Sequence, residues 1–213
     1  MRKTFAQVDC LRRSFDANAQ PLGTVRAMGN REKLLEAARQ CLFAKGYERT
    51  TVRDLASAAG VSMAAIGYHF GSKEALLNQA LFEALDSGDQ VFGPSMNAGD
   101  LGALWRRLIE AFSVNETFWI ANLETVLRAQ RDPELREQVA AGLRQGRRGM
   151  TREVTGTAET ELSEAMIRTV GSVQLALVSG LMIQHLTDPE SAPTADEVLA
   201  GLRALAAHLS EEG

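Results

Sequence analysis

Between Thr50 and Lys73 the chain collects side chains suited to gripping an anionic polymer. Thr50 and Thr51 put two hydroxyls at the start of a helical stretch, where backbone N–H groups and the helix dipole favour an anion. Lys73 offers a second such position at the start of a later helix, and Tyr68 adds a phenolic hydroxyl on the short segment between them. Such contacts fix register on a nucleic acid without reading its sequence. Met63, Ala64 and Ala65 stand where a helix entering the major groove would meet base edges. None makes the bidentate hydrogen bonds by which Arg, Asn or Gln separate base pairs, but all three can touch thymine methyls and permit close approach. Further discrimination is left to Ser62, Arg53, the N-terminal residues or DNA shape. His69 suits either a phosphate contact or a packed, hydrogen-bonded corner.

Other chemistries lack their constellations. His69, His185 and His208 are far apart and have no cysteine or carboxylate cluster at metal-ligand spacing, so neither metal nor cofactor is expected. No Ser-His-Asp order and no phosphate-cradling glycine loop is present, and Glu116, Glu124 and His185 share no catalytic logic. The chain does not read as an enzyme. Cys10 and Cys41 are too few for a disulfide framework, and Cys41 shares an apolar face with Leu34, Ala38 and Leu42.

The elements that position these residues are short helices. Asn30 is the expected N-cap of a helix from Arg31 to about Lys45, ended by Gly46. Thr51 with Asp54 forms a capping box for a second helix, and Gly60 makes the tight turn with Val61 as its plug. Ser62 is the expected cap of a third helix, Met63 to Phe70. Gly71 ends it, and Ser72 opens a fourth reaching about residue 86. This is the punctuation of a helix-turn-helix with supporting helices.

The order Gly46-Tyr47, Thr50-Thr51-Val52-Arg53-Asp54-Leu55-Ala56, Ala59-Gly60-Val61-Ser62, His69-Phe70 and Ser72-Lys73-Glu74-Ala75-Leu76 resembles the DNA-binding domain of TetR-family transcriptional regulators. The resemblance covers about residues 30–77. It implies an all-α homodimer, usually a repressor, that binds double-stranded operator DNA and is released by a small ligand. One departure is clear: many members carry tyrosine where Gly67 stands, whereas the aromatic here is Tyr68, about 100° further round the helix.

The remainder fixes the domain organisation. Residues 1–29 read as a basic, irregular tail, with Arg2, Lys3, Arg12, Arg13 and Arg26 against Asp9 and Asp16. The helix-turn-helix domain occupies 30–77, Ser87, Gly88, Gly93, Pro94 and Gly99 mark 87–99 as a linker, and 100–213 form a helical ligand-binding and dimerisation domain. Residues 1–86 hold 12 Lys+Arg against 9 Asp+Glu, a net +3, and the rest hold 11 against 18, a net −7. That asymmetry turns the N-terminal part toward a polyanion. The N-terminus lacks the apolar core of a signal peptide and no run approaches 18 apolar residues, so a cytoplasmic protein without membrane partners is expected.

In the second domain Asp100, Ser113 with Glu116, and Asp132-Pro133-Glu134 are expected helix starts. The third of these helices is expected to reach Thr155, although Gly142, Gly146 and Gly149 weaken it. Trp105, Phe112, Phe118, Trp119, Leu123 and Met150 supply apolar lining for a ligand pocket, with Asn122, Glu124 and Gln174 as polar anchors and an apolar or aromatic effector expected. Helices over 159–187 and from Thr194 onward complete the chain. Val170, Val173, Leu177 and Leu181 on the first, with Val198, Leu202, Leu205 and Leu209 on the second, are the expected dimer interface, a four-helix bundle made with the partner's copies.

Overall fold

The computed structural model describes residues 28–87 and 100–211. All but the last two residues of the tail expected over 1–29, and most of the 87–99 linker, lie outside the described residues. Within them the chain is helical throughout: α1 Asn30–Lys45, α2 Val52–Ala59, α3 Ala64–Phe70, α4 Lys73–Ser87, α5 Leu101–Val114, α6 Glu116–Ala129, α7 Pro133–Thr155, α8 Glu164–Thr187 and α9 Ala195–Glu211. A 3₁₀ turn at Glu159–Glu161 precedes α8.

The helix starts follow the sequence closely where a side chain supplies the cap. Thr51 Oγ1 accepts from the Asp54 N–H, and Asp54 Oδ2 accepts from the Thr51 N–H. Asp100 takes the Ala103 N–H, Asp132 takes those of Glu134 and Leu135, and Thr194 and Glu197 close another reciprocal box. Besides α3, which begins at Ala64 without a side-chain cap, three starts differ from expectation. Gly29, not Asn30, caps α1, and the Glu32 carboxylate reaches back to its N–H. Ser113 lies inside α5, which runs on to Val114, so Asn115 and not Ser113 forms the junction to α6. The last long apolar helix begins at Glu164 under a Ser163 cap rather than at residue 159.

The glycines of α7 do not break it. The helix runs unbroken to Gly156, which ends it in the left-handed conformation at φ 67°. A Cβ on Gly142 would stand 3.8 Å from Phe82, and one on Gly146 would stand 3.5 Å from Leu175, so two of the three mark docking of α4 and α8. Gly171 is the tightest contact: any Cβ there would collide with the Arg147 carbonyl and the Thr151 hydroxyl. It lies in a π turn, Ile167–Gly171, that interrupts α8 where this helix crosses α7.

One hydrophobic core runs through both halves. Leu34, Leu42, Leu55, Leu76, Leu77 and Leu81 are fully buried under the N-terminal helices, continuous with Trp105, Leu108, Phe112 and Phe118 beyond them. Cys41 is buried there, and burial pushes its thiol pKa up. The helix Glu164–Thr187 is long and apolar enough to cross a membrane by length and composition, with an 18-residue window of mean hydropathy 1.5. Its inner residues Gln174, Val178, Leu181 and Met182 are spent on packing inside this chain, against α5 and α7.

Candidate nucleic-acid interface

The turn between α2 and α3 is set by Gly60, at φ 65° and ψ 34°, whose N–H reaches back to the carbonyls of α2. A side chain would strain this left-handed position, so glycine is required. Ile66 is 2% exposed and pins α3 from beneath, while Leu55 and Ala56 do the same for α2. The outer surface that results carries Ser62, Ala64 and Gly67, all exposed, with Met63 at 59% and Tyr68 at 86%. Ala65 is half-buried. The Tyr68 ring meets that of His69 edge to face, 4.9 Å between ring centroids. A large aromatic so exposed is free to meet a partner.

Several positions sit differently from expectation. Ser62 does not cap α3: no side-chain cap exists there, and the Ser62 carbonyl instead accepts from the Ala65 N–H at 3.0 Å. The Met63 backbone is already helical, which leaves the Ser62 hydroxyl outside the first turn. Thr50 is 1% exposed and its hydroxyl donates to the Gly46 carbonyl at 2.6 Å, so its side chain has no path to a phosphate. Lys73 is half-buried and bonds the Thr50 carbonyl at 3.2 Å, tying α4 to the segment before α2. Thr51 and Arg53 remain on the surface beside exposed Val52. His69 is half-buried between the rings of Tyr68 and Phe70.

The surface is held rigidly from behind. Asp54 is bonded by both Thr51 and the Lys45 ammonium, which links the end of α1 to the start of α2. The Lys45 bond first, and those from Thr51 next, hold the Asp54 carboxyl well below the usual carboxylate range.

Behind this surface, α6 of the C-terminal part packs directly on α1. The rings of Phe43 and Phe118 stack, 4.6 Å between centroids and 9° between planes. The Arg128 guanidinium covers the face of Tyr47 at 3.5 Å, while Tyr47 donates to Asn78 at 2.8 Å. Gly46 faces Thr117 so closely that a Cβ would stand 3.2 Å from its methyl. Tyr47 entered the sequence reading only within the Gly46-Tyr47 pair and Arg128 not at all, because nothing local marks a contact between residues 81 positions apart. Glu124 on the same α6 has its pKa raised, by burial first and then by the nearby Glu48, against the opposing pull of Arg128.

The residues expected to line a ligand pocket form the centre of the C-terminal part. Trp105, Phe112, Phe118 and Trp119 are all at most 4% exposed. Phe112 and Trp119 meet edge-on at 5.4 Å, Phe118 and Trp119 at 5.6 Å, and the Trp119 indole donates to the Ala111 carbonyl. Leu123 and Met150 are half-buried against the same core, and Asn122 is half-buried beside them in sequence. Two buried polar atoms there have no hydrogen-bond partner: Trp105 Nε1, a donor, and Gln174 Oε1, an acceptor. They lie on α5 and α8, which pack together.

The expected dimer residues divide into three sets. Val173 is 58% exposed, Leu205 61% and Leu209 72%, whereas Leu181 is buried within its own chain because it points at α5 and α7. Val170, Leu177, Val198 and Leu202 are half-buried. The exposed side of α8 therefore runs through Val173, Ala176 and Ile183, with half-buried Gly180 between the last two, rather than through Leu181.

Comparison with known proteins places this geometry. Residues 34–80 match the family of bacterial regulatory proteins, tetR family, and residues 97–208 match the tetracyclin repressor-like C-terminal domain. The HTH-type transcriptional repressor AcnR of Corynebacterium efficiens is 34% identical over 113 residues, covering 52% of this chain and 56% of that one. The HTH-type transcriptional repressor Rv1474c of Mycobacterium tuberculosis is 32% identical over 107 residues, covering 49% and 53%. The chain thus spans about half the length of these relatives. Among solved structures, the multidrug binding protein EbrR complexed with proflavin shares the fold, with a TM-score of 0.58 at 24% identity over 82% of this chain and 99% of that one.

Proposed function

The chain belongs to the tetR family of bacterial regulatory proteins, and from that premise we propose that it is a homodimeric DNA-binding repressor released from its operator by a small, largely apolar ligand. The observation that carries the reading is the surface of α3: Met63 and Tyr68 stand out from a helix that is pinned by Ile66 and backed by the Lys45–Asp54–Thr51 links. Such a helix can enter the major groove, with its first residues toward the bases. Thr51, Arg53 and Tyr68 are the groups left to contact phosphate, since Thr50 and Lys73 are engaged within the chain. Apolar Met63, Ala64 and Ala65 read little per base pair, so specificity rests on two copies held at fixed spacing.

The exposed sides of α8 and α9 support pairing. Val173, Ala176, Gly180 and Ile183 form a line on α8, with Leu205 and Leu209 on α9. The small residues permit close approach of a partner helix, and exposed apolar area of this kind is covered in a stable protein. The effector reading is supported by the unpartnered, buried Trp105 Nε1 and Gln174 Oε1, which lie on the packed helices α5 and α8. A ligand that satisfied both would gain hydrogen bonds the protein lacks by itself. The aromatic centre is closed by its own ring contacts, so entry requires the rings to part. Phe118, which belongs to that centre, also stacks on Phe43 of the reading half, so ring movement is transmitted to α1.

The test is a titration of the chain against the DNA flanking its own gene and against random DNA at several salt concentrations. The reading expects the flanking DNA to bind at least about a thousandfold more tightly than random DNA at physiological salt. Equal affinity for both would overturn it. Thermal stabilisation by a panel of hydrophobic metabolites then separates an effector-controlled repressor from a constitutive one.

A further inference from the structure

A second recess lies away from the aromatic centre, between the reading half and α7. It is a cleft of about 450 Å³, lined by His69 and Phe70 at the end of α3, by Gln79, Phe82 and Glu83 of α4, and by Gln138 of α7. The chemistry of this lining is specific. The lining combines two phenylalanine side chains, one carboxylate and two amides. Glu83 accepts from Gln79 Nε2 at 2.8 Å but forms no ion pair among the described residues. A carboxylate has capacity for several donors, so that one bond leaves most of it unspent. Phe70 already takes a cation, with the Arg31 guanidinium carbon 5.2 Å from the ring centroid. An aromatic face attracts positive charge, and a neighbouring carboxylate adds to the attraction.

We infer that this cleft is a binding site for a lipophilic organic monocation, one carrying a single fixed positive charge on an aromatic or alkyl body. The charge sits against Glu83 and the body between the rings of Phe70 and Phe82. None of Trp105, Phe112, Phe118, Trp119 or Gln174 lines the cleft, so it is separate from the effector centre proposed above. Its walls come from both halves of the molecule. An occupant therefore touches the recognition helix and α7 at once.

Calorimetric titration of the full chain with benzyltrimethylammonium, and with its neutral isostere neopentylbenzene, tests the site without any operator. The cation is expected to bind once per chain and the neutral isostere at least about tenfold more weakly, as expected for a tight cation–π contact reinforced by a carboxylate. Glu83→Gln should weaken the cation about tenfold, and Gln138→Trp, which fills the cleft from an exposed α7 position, should abolish binding. Gln174→Leu, in the separate centre, should leave it unchanged. Absence of cation binding, equal binding of the isostere, indifference to both cleft variants, or loss on Gln174→Leu would each overturn the assignment. Thermal melts of the variants identify any that fail to fold, and Gln138→Trp, at an exposed helix position, carries the test if Glu83→Gln does not.

Discussion

The guanidinium carbon of Arg128 stands 3.5 Å from the centre of the Tyr47 ring, on the seam where α6 of the C-terminal half meets the reading half. Together with the Phe43–Phe118 stack it makes the junction a set of oriented contacts rather than a smooth apolar surface. Because Phe118 also belongs to the aromatic centre, whatever moves that centre moves the junction.

A double-mutant cycle on Tyr47→Leu and Arg128→Met should therefore return a coupling energy of about 1–2 kcal/mol in denaturant unfolding, the range of a desolvated cation–π pair. Arg128→Met alone should also lower the response of DNA affinity to effector, because one junction contact is gone. A coupling energy near zero would assign the contact to packing alone.

Asp54 ties α1 to α2 through Lys45 and Thr51, and its carboxyl is held well below the usual carboxylate range. A depressed folded-state value means the stabilisation is complete above the unfolded value of about 3.9 and is lost as pH falls through that range toward the folded value. Asp54→Asn should cost about 1 kcal/mol at pH 7, the usual effect of losing a cap. The difference from the parent should shrink steadily below about pH 4, as measured by urea unfolding across pH.

Glu124 behaves in the opposite sense. Burial first, and Glu48 second, raise its folded-state value, so the ionised form is disfavoured in the native chain. Its contribution is best below the unfolded value of about 4.3 and is lost as pH rises through the raised value. Glu124→Gln should accordingly raise the midpoint temperature at pH 7 and leave it unchanged at about pH 4. A lower midpoint at pH 7 would mean that its pairing with Arg128 outweighs its burial.

Gly67 lies mid-helix in α3, has no positive φ, and leaves open space where a Cβ would stand. Gly67→Ala should stabilise the chain by about 0.8–1.0 kcal/mol, the helix-propensity difference, without disturbing the core. Gly171→Ala should do the reverse, costing about 1–3 kcal/mol by overpacking, because its Cβ meets the α7 backbone at Arg147. The two measured together separate a glycine tolerated for lack of neighbours from one demanded by them.

How much of this was legible in the sequence depends on the range of the interaction. The Thr51–Asp54 and Thr194–Glu197 boxes, the Asp132 cap and the Gly60 turn were readable because each is complete within four residues. The aromatic centre was readable as apolar content, and Trp105, Phe112, Phe118 and Trp119 do cluster. What was not readable lies between distant segments. The Thr50 hydroxyl reads as an anion ligand until its bond to Gly46 is seen, and Leu181 reads as a surface stripe until α5 and α7 cover it. The Tyr47–Arg128 pair and the cleft at Glu83 depend wholly on how the two halves meet.

On the proposed function, two weakly reading α3 helices are made specific by a fixed spacing. Selection of preferred sequences from a random DNA pool tests that claim most directly. Two inverted half-sites are predicted, with centres about 34–36 Å apart or a whole multiple of that distance, and Val173→Glu with Leu205→Glu should abolish their enrichment by separating the copies. Recovery of a single unpaired motif, or of none, would contradict it.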